Sequence, residues 1–274
     1  SVETHNETAG KWFYSIAQPM KREGNEVVQV LESVVEITER KQTEEKLQRS
    51  QRRLARINEC LASLGLDHQA NITLLTGLCG ELLHATCALY NRLDEPLLCS
   101  VGQWNTPPDY VPEDSPDGHI CYDVIRRQAR DTLVVRNLPE TSYFQSDPNV
   151  AKYALKTYVG HPVLRNGQPV GSLCVVYQDD VTFRDEDKRI LGIVASALSA
   201  EEDRAATEQA LRLSEEQFSK AFRSGPMLMA ISEAETGRYI EVNDSFARVT
   251  GFSREEAEGR SSVDLGLFRT EDRE

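Results

Sequence analysis

The sequence has little of what would make its chemistry obvious. None of its six cysteines, at 60, 79, 87, 99, 121 and 174, forms a CxxC pair. A cysteine-knuckle metal site needs such close ligand spacing, and the chain is neither short nor secreted-looking, so buried reduced thiols are expected. Positive charge is in deficit, with 31 Lys and Arg against 44 Asp and Glu. That disfavours nucleic acid as a main partner, because phosphate binding needs concentrated positive charge. The longest apolar runs, such as Leu61 to Leu66, are interrupted far below spanning length, so no membrane segment is expected. The polar, acidic opening from Ser1 to Gly10 does not read as a secretory leader, and a cytoplasmic chain is the simplest reading. There is no Gly-rich nucleotide loop and no Ser-His-Asp or metal constellation that the spacing itself picks out. No catalytic residue or metal ligand is assigned, enzymatic activity stays open, and the cofactor is unknown.

What is present is patterned. Residues 158–177, YVGHPVLRNGQPVGSLCVVY, alternate on both sides of Asn166-Gly167, a pair that supplies the two positive φ angles of a tight hairpin. One face of this hairpin could wall a pocket, with His161, Ser172 and Cys174 looking in. The loop YFQSDPNV offers Tyr143 and Phe144 for stacking, and Asp147-Pro148 for a rigid turn and a helix cap. Trp104 and Tyr110, in a Pro-rich stretch, could form the opposite lip. These residues are the candidate ligand contacts. His161 could equally satisfy a neighbouring backbone group, Cys174 could be plain core, Asp147 could only cap, and Phe144 could only pack. In DGHICYD, a strand would put His119 and Cys121 on one face.

Around this hairpin the spacing predicts a helix over 71–83, strands at 87–90 and 97–101 with a turn at 91–95, and a helix over 122–128. A strand at 132–135, an irregular stretch over 139–147 and a short helix over 150–155 follow. A closing helix spans 185–200, with Thr182 placed to cap it. The implied architecture is α+β, a central antiparallel sheet with helices on one side. Before it, Trp12–Ile16 and Val27–Val35 read as strands with a turn at Arg22–Asn25. A helix over 39–64 then carries Leu47, Leu54, Ile57, Leu61 and Leu64 on a heptad seam. Residues 38–56 carry seven basic against three acidic residues, and 201–216 six acidic against two basic; both suit solvated helix faces. A second long helix, 200–222, is broken by Gly225-Pro226. A hairpin over 227–242 and short helical turns at 244–249 and 254–258 complete the chain, with Asn243 fixing a local turn.

Four stretches resemble known families. ESVVEITERKQTEEK, residues 32–46, resembles the closing strand and exit helix of a PAS domain. EEQFSKAFRSGPMLMAISEAETGRYIEVNDSFARVTGFSREEAEG, residues 215–259, resembles the opening half of another. Between them, SYFQSDPNVAKYALKTYVGHPVLRNGQPVGSLCVVY and FRDEDKRILGIVASALS resemble the late strands and last helix of a GAF domain. The resemblance implies five segments: the end of a PAS domain (1–41), a linker helix (42–64), a GAF domain (65–200), a linker helix (201–222) and the start of a second PAS domain (223–274). In phytochrome-type GAF domains the bilin-bearing Cys is followed by His; here Tyr122 follows Cys121, so no covalent bilin is implied. The resemblance implies a sensory and relay region of a signalling protein such as a sensor histidine kinase. The alternatives are a dimerising scaffold that binds nothing, or the regulatory part of a diguanylate cyclase or phosphodiesterase. The implied partners are a small-molecule ligand, a second copy through the linker helices, and an output domain in the parent protein.

Overall fold

Asn166 and Gly167 take φ angles of 51° and 77°, so the expected turn forms and matches the twist of its flanking strands. In the computed structural model, which describes residues 1–23, 26–127 and 131–268, the chain divides into two units, residues 1–201 and 202–274.

The first unit begins with an antiparallel three-stranded sheet: β1 (Val2–Asn6), β2 (Lys11–Glu23) and β3 (Glu26–Glu36). The two aromatic and valine-rich strands were legible in the sequence, whereas β1 was not. Of the turn predicted at Arg22–Asn25, Arg22 and Glu23 instead belong to β2, paired with Val27 and Glu26, and Gly24 and Asn25 lie outside the described residues. Val30, Val34 and Val35 of β3 are exposed. Helix α1 (Thr38–Ser63) follows, and its heptad seam divides. Ile57 is buried and Leu64, just past the helix, packs beside it in the main core. Leu47, Leu54 and Leu61 stay exposed.

The main domain is built on a six-stranded antiparallel sheet of order β6-β5-β4-β9-β8-β7. Its elements in chain order are α2 (His68–Leu83), β4 (Cys87–Asp94), β5 (Leu97–Trp104), β6 (Glu113–Asp114), α3 (Ile120–Arg126) and β7 (Leu133–Val135). A 3-10 turn (Leu138–Glu140), α4 (Tyr143–Ser146), α5 (Pro148–Lys152), β8 (Thr157–Arg165), β9 (Gln168–Tyr177) and α6 (Asp185–Ser224) complete it. The Asp67 carboxylate opens α2 by accepting from the Ala70 N–H at 3.0 Å. Strand alternation sorts the core into two layers. Leu173, Val175 and Tyr177 of β9 face α1, α2 and α6, together with Leu75, Leu191, Val194 and Leu198. Cys174 and Val176 face the other way, among Leu89, Ile120, Val124, Leu138 and Val150.

The α+β class and antiparallel sheet are as expected, with five corrections. Short helices also cover the second sheet face. The stretch over 139–147, read as irregular, contains the 3-10 turn and α4. Asn91 lies inside β4, and the turn falls at Glu95-Pro96 instead. The predicted helices over 185–200 and 200–222 are one helix of 40 residues. At its start Asp187, rather than Thr182, accepts from the Arg184 N–H at 3.3 Å. Gln128, the expected end of α3, is outside the described residues. None of the helices among the described residues is long and apolar enough to cross a membrane.

The second unit contains the rest of α6, a hairpin of β10 (Ala230–Ser232) and β11 (Tyr239–Val242), and two short helices, α7 (Asp244–Thr250) and α8 (Arg254–Ala257). Its small core holds Val242, Phe246, Ala257 and Leu265. Asn243 fixes a turn, as expected, and does more. Fully buried, it accepts from the N–H groups of Met229 (3.0 Å) and Phe246 (2.9 Å) and donates to the Met227 carbonyl (2.7 Å). One amide thereby caps α7 and ties it to the segment before β10.

Candidate functional site

The site lies on the sheet face away from α6. Its floor comes from β4, β5, β8 and β9, and its cover from the loop before β6, α3 and α5. Asn91 on β4 stands opposite Ser100 on β5 and Ser172 on β9. A buried amide in a strand must find partners, and Asn91 finds them across the floor. The Ser100 hydroxyl donates to its Oδ1. Ser100 has only that one proton, so it accepts from the Tyr110 hydroxyl, 2.5 Å away. The Asn91 amide donates to the sulfurs of Cys121 (3.0 Å) and Cys174 (3.7 Å). Those two sulfurs are 3.7 Å apart. Tyr158 donates to the Cys121 sulfur at 3.5 Å and lies 3.2 Å from the Ser172 hydroxyl.

The cover is held by one carboxylate. Asp147 sits before Pro148 and caps α5, with Oδ1 accepting from the Asn149 N–H at 3.0 Å. Its Oδ2 accepts from the Ile120 N–H, the first of α3, at 3.1 Å. His119 lies between two acids, with Nδ1 3.5 Å from Asp147 and Nε2 3.3 Å from Asp114. Two carboxylates facing the two ring nitrogens favour a ring protonated on both. Burial alone would lower its pKa. The hydrogen bond and charge of Asp147, with smaller help from Cys121 and Asp114, prevail and hold it at about 9.

Burial also pushes up the Tyr110 and Tyr158 phenols and holds the Cys87 thiol at about 12. Cys121 goes the other way. The hydrogen bond from Cys174 outweighs burial, Tyr158 and the His119 charge add to it, and its thiol is lowered. Cys174 is raised by the same hydrogen bond and by burial.

Between floor and cover lies a cavity of about 100 Å³. Its lining is mainly apolar, with Leu89, Leu98, Val150 and Leu155. Asn91, Ser100, Tyr110, His119, Asp147 and Asn149 supply its polar groups.

Of the residues picked out in the sequence, Asp147, Cys174 and Tyr110 line this cavity. Ser172 is on the same sheet face, behind it and against Tyr158. His161 is on the opposite face, where its ring meets Gly192 of α6 and Nδ1 is 2.9 Å from the Thr132 hydroxyl; burial lowers its pKa. An ideal hairpin from Asn166-Gly167 would pair His161 with Ser172 and give them one face. A bulge between Val163 and Leu164 shifts the pairing by one, His161 pairs with Leu173, and its side chain changes layer.

Trp104 also lies on the far face, paired with Ala88 and laid over Gly80 of α2. Tyr143 is outside the cavity lining and donates to Asp123 at 2.8 Å. Phe144 is 45% exposed and neither lines the cavity nor packs in the core. His119 and Cys121 do converge, but through a helix start rather than a strand. Asn91, Ser100 and Asn149 were missed. Only the polar Asn91 following the apolar run 87–90 could have signalled them.

Gly118 shows how tightly the cover is seated. It has φ +89°, and a Cβ there would come 2.4 Å from the Ser146 carbonyl oxygen. Gly118→Ala is therefore expected to destabilise the domain by about 1–3 kcal/mol, read as a lower urea midpoint. An unchanged midpoint would show that the cover adjusts freely.

The geometry defines an α+β domain with a small cavity between one sheet face and a cover of short helices. Residues 67–201 match the family model of the GAF domain, and this part of the chain is a GAF domain. Its fold is similar to the GAF domain of a phosphoenolpyruvate-protein phosphotransferase (ptsP) from Coxiella burnetii, at 14% identity and a TM-score of 0.51, covering 59% of this chain and 98% of that one. The GAF domain of the Acinetobacter phosphoenolpyruvate-protein phosphotransferase aligns at 15% identity and TM-score 0.49, covering 60% and 95%. A domain of a two-component sensor histidine kinase protein from Sinorhizobium meliloti 1021 aligns at 15% and 0.44, covering 55% and 99%. Comparison with curated proteins returns no match.

Proposed function

We propose that this chain is a sensory and signal-relay region of a cytoplasmic multidomain signalling protein, a sensor histidine kinase, and that its GAF domain senses a small ligand. The observation that carries the reading is the cavity, apolar in its walls and supplied with convergent polar groups. At about 100 Å³ it is smaller than pockets for drug-sized ligands, which run from about 300 Å³ upward. It suits a molecule of a few heavy atoms.

Relay has a physical route. The strand that contributes Cys174 to the cavity contributes Leu173 and Val175 to the layer containing α1 and α6. Arg53 of α1 is 2.9 Å from Asp187 of α6. A ligand that fits one arrangement of these helices better than another shifts their populations by its difference in affinity. Leu47, Leu54 and Leu61, exposed at seven-residue spacing on α1, would meet the same residues of a second copy. In this reading, residues 1–41 and 223–274 are partial PAS domains, and an output domain completes the parent protein.

A scaffold that binds nothing is the second reading. It is favoured by the mutual hydrogen bonding of Asn91, Ser100 and Tyr110, which leaves less for a guest. Native mass spectrometry of the purified chain decides. The expected result is a dimer carrying a small retained mass that is lost on denaturation. A dimer without extra mass, even after soaking with metabolite mixtures, supports the scaffold. A monomer at high concentration overturns the relay.

A further inference from the structure

We propose that Cys121 and Cys174 form a peroxide-reactive dithiol, in which Cys121 is the attacking thiolate and Cys174 closes the disulfide. The site uses only the thiol pair and its donors, so it stands apart from the reversible-ligand reading.

Three observations carry it. The two sulfurs touch at 3.7 Å, although they come from elements 53 residues apart, α3 and β9. Both line the cavity, so a small oxidant admitted there meets them directly. Their surroundings are also unequal. The Cys121 sulfur receives the Asn91 amide at 3.0 Å and the Tyr158 hydroxyl at 3.5 Å, two donors that stabilise a negative sulfur, whereas the same amide lies 3.7 Å from Cys174. It also lies two residues from the imidazolium of His119, held by Asp147 and Asp114. Cys174, in a central strand, has its thiol raised. The remaining cysteines differ. Cys79 is fully buried on the other sheet face with its thiol pushed far up, and Cys87, although in the lining, is held at about 12.

The chemistry balances. The Cys121 thiolate attacks one oxygen of a hydroperoxide. The S–O bond forms, the O–O bond breaks, and the leaving hydroxide or alkoxide takes a proton to become water or an alcohol. Cys121 is then a sulfenic acid. Cys174 loses its proton to the departing hydroxide and attacks the Cys121 sulfur. The S–S bond forms, the S–O bond breaks, and water leaves. Two thiols are oxidised by two electrons and one peroxide is reduced. Closure needs the sulfurs to approach from 3.7 Å to about 2.05 Å, which covalently fastens the cover to the central strand.

The test treats the reduced chain with hydrogen peroxide, quenches with N-ethylmaleimide and maps peptides without reduction. The expected product is about 2 Da lighter, with one cross-link joining the peptides of Cys121 and Cys174, and dithiothreitol reverses it. Cys174→Ser should give no cross-link and a Cys121 adduct with dimedone. Cys121→Ser should give neither, with peroxide consumption at least about tenfold slower. Cys87→Ser should keep the cross-link. Cys121 and Cys174 remaining alkylatable, or Cys60 or Cys99 oxidising first, overturns the proposal. If a serine variant does not fold, the cross-link map of the unaltered chain decides alone. A reversible ligand would appear as a noncovalent mass with both thiols intact, so the two readings fail separately.

Discussion

Asp147→Ala is expected to cost about 3–5 kcal/mol of folding stability, the range for removing one partner of a buried ion pair. Three losses combine. The Asn149 and Ile120 N–H groups lose their acceptor, so α5 loses its cap and α3 its first anchor. His119 loses the acid that does most to offset the burial of its charge and keeps only Asp114, on its other nitrogen. The cover rests on these contacts, so its two halves should loosen together. Hydrogen exchange over residues 117–127 and 143–153 should rise well above that of β8 and β9, and the urea midpoint should fall. Asp147→Asn keeps an acceptor for one N–H and removes the charge, so its loss should be intermediate. Equal stability of Asp147→Ala and the unaltered protein would mean that the carboxylate does not hold the cover.

The second expectation concerns pH. His119 titrates near 9 in the folded chain, against an ordinary value of 6.5. A group raised on folding stabilises the native state fully below its unfolded value and loses that contribution as pH climbs through the folded one. The contribution is therefore complete below about pH 6.5 and fades by about pH 9. The gap corresponds to about 3 kcal/mol. The groups acting on the ring are Asp147 at the head of α5, Asp114 of β6 and Cys121 of α3. Stability measured by urea denaturation should fall between pH 6.5 and 9, and His119→Asn should flatten that slope and lower stability most at the acid end. A slope that survives the substitution would assign the pH dependence to another group.

Much of the fold could be read from local chemistry. Asn166-Gly167 announced the central hairpin, Asp147-Pro148 announced a capped helix, and Gly225-Pro226 marked the end of α6. Each depends on residues close in sequence. The cavity does not. Asn91 looks like a turn former, and it stays in β4 because its partners, Ser100, Cys121 and Cys174, lie 9, 30 and 83 residues away. The tertiary contacts override its local preference. His161 shows a second limit: alternation tells which residues share a face, but a single bulge between the turn and the residue exchanges the faces. Trp104 shows a third. Its ring belongs where α2 offers glycines at 77 and 80 to receive it, a fit that no spacing in β5 reveals. Phe144 was read as a stacking ring or core residue, but it sits on a short helix whose buried contacts come from its neighbour Tyr143.

The ten residues of β9 divide their side chains between the two layers, with Cys174 and Val176 on one and Leu173, Val175 and Tyr177 on the other. A backbone shift that made room beneath the cover would pull methyl groups out of close packing behind it. Inheritance then acts on both layers at once. A substitution tolerated for one must be tolerated by the other, and this strand should drift more slowly through a lineage than the strands that serve a single side.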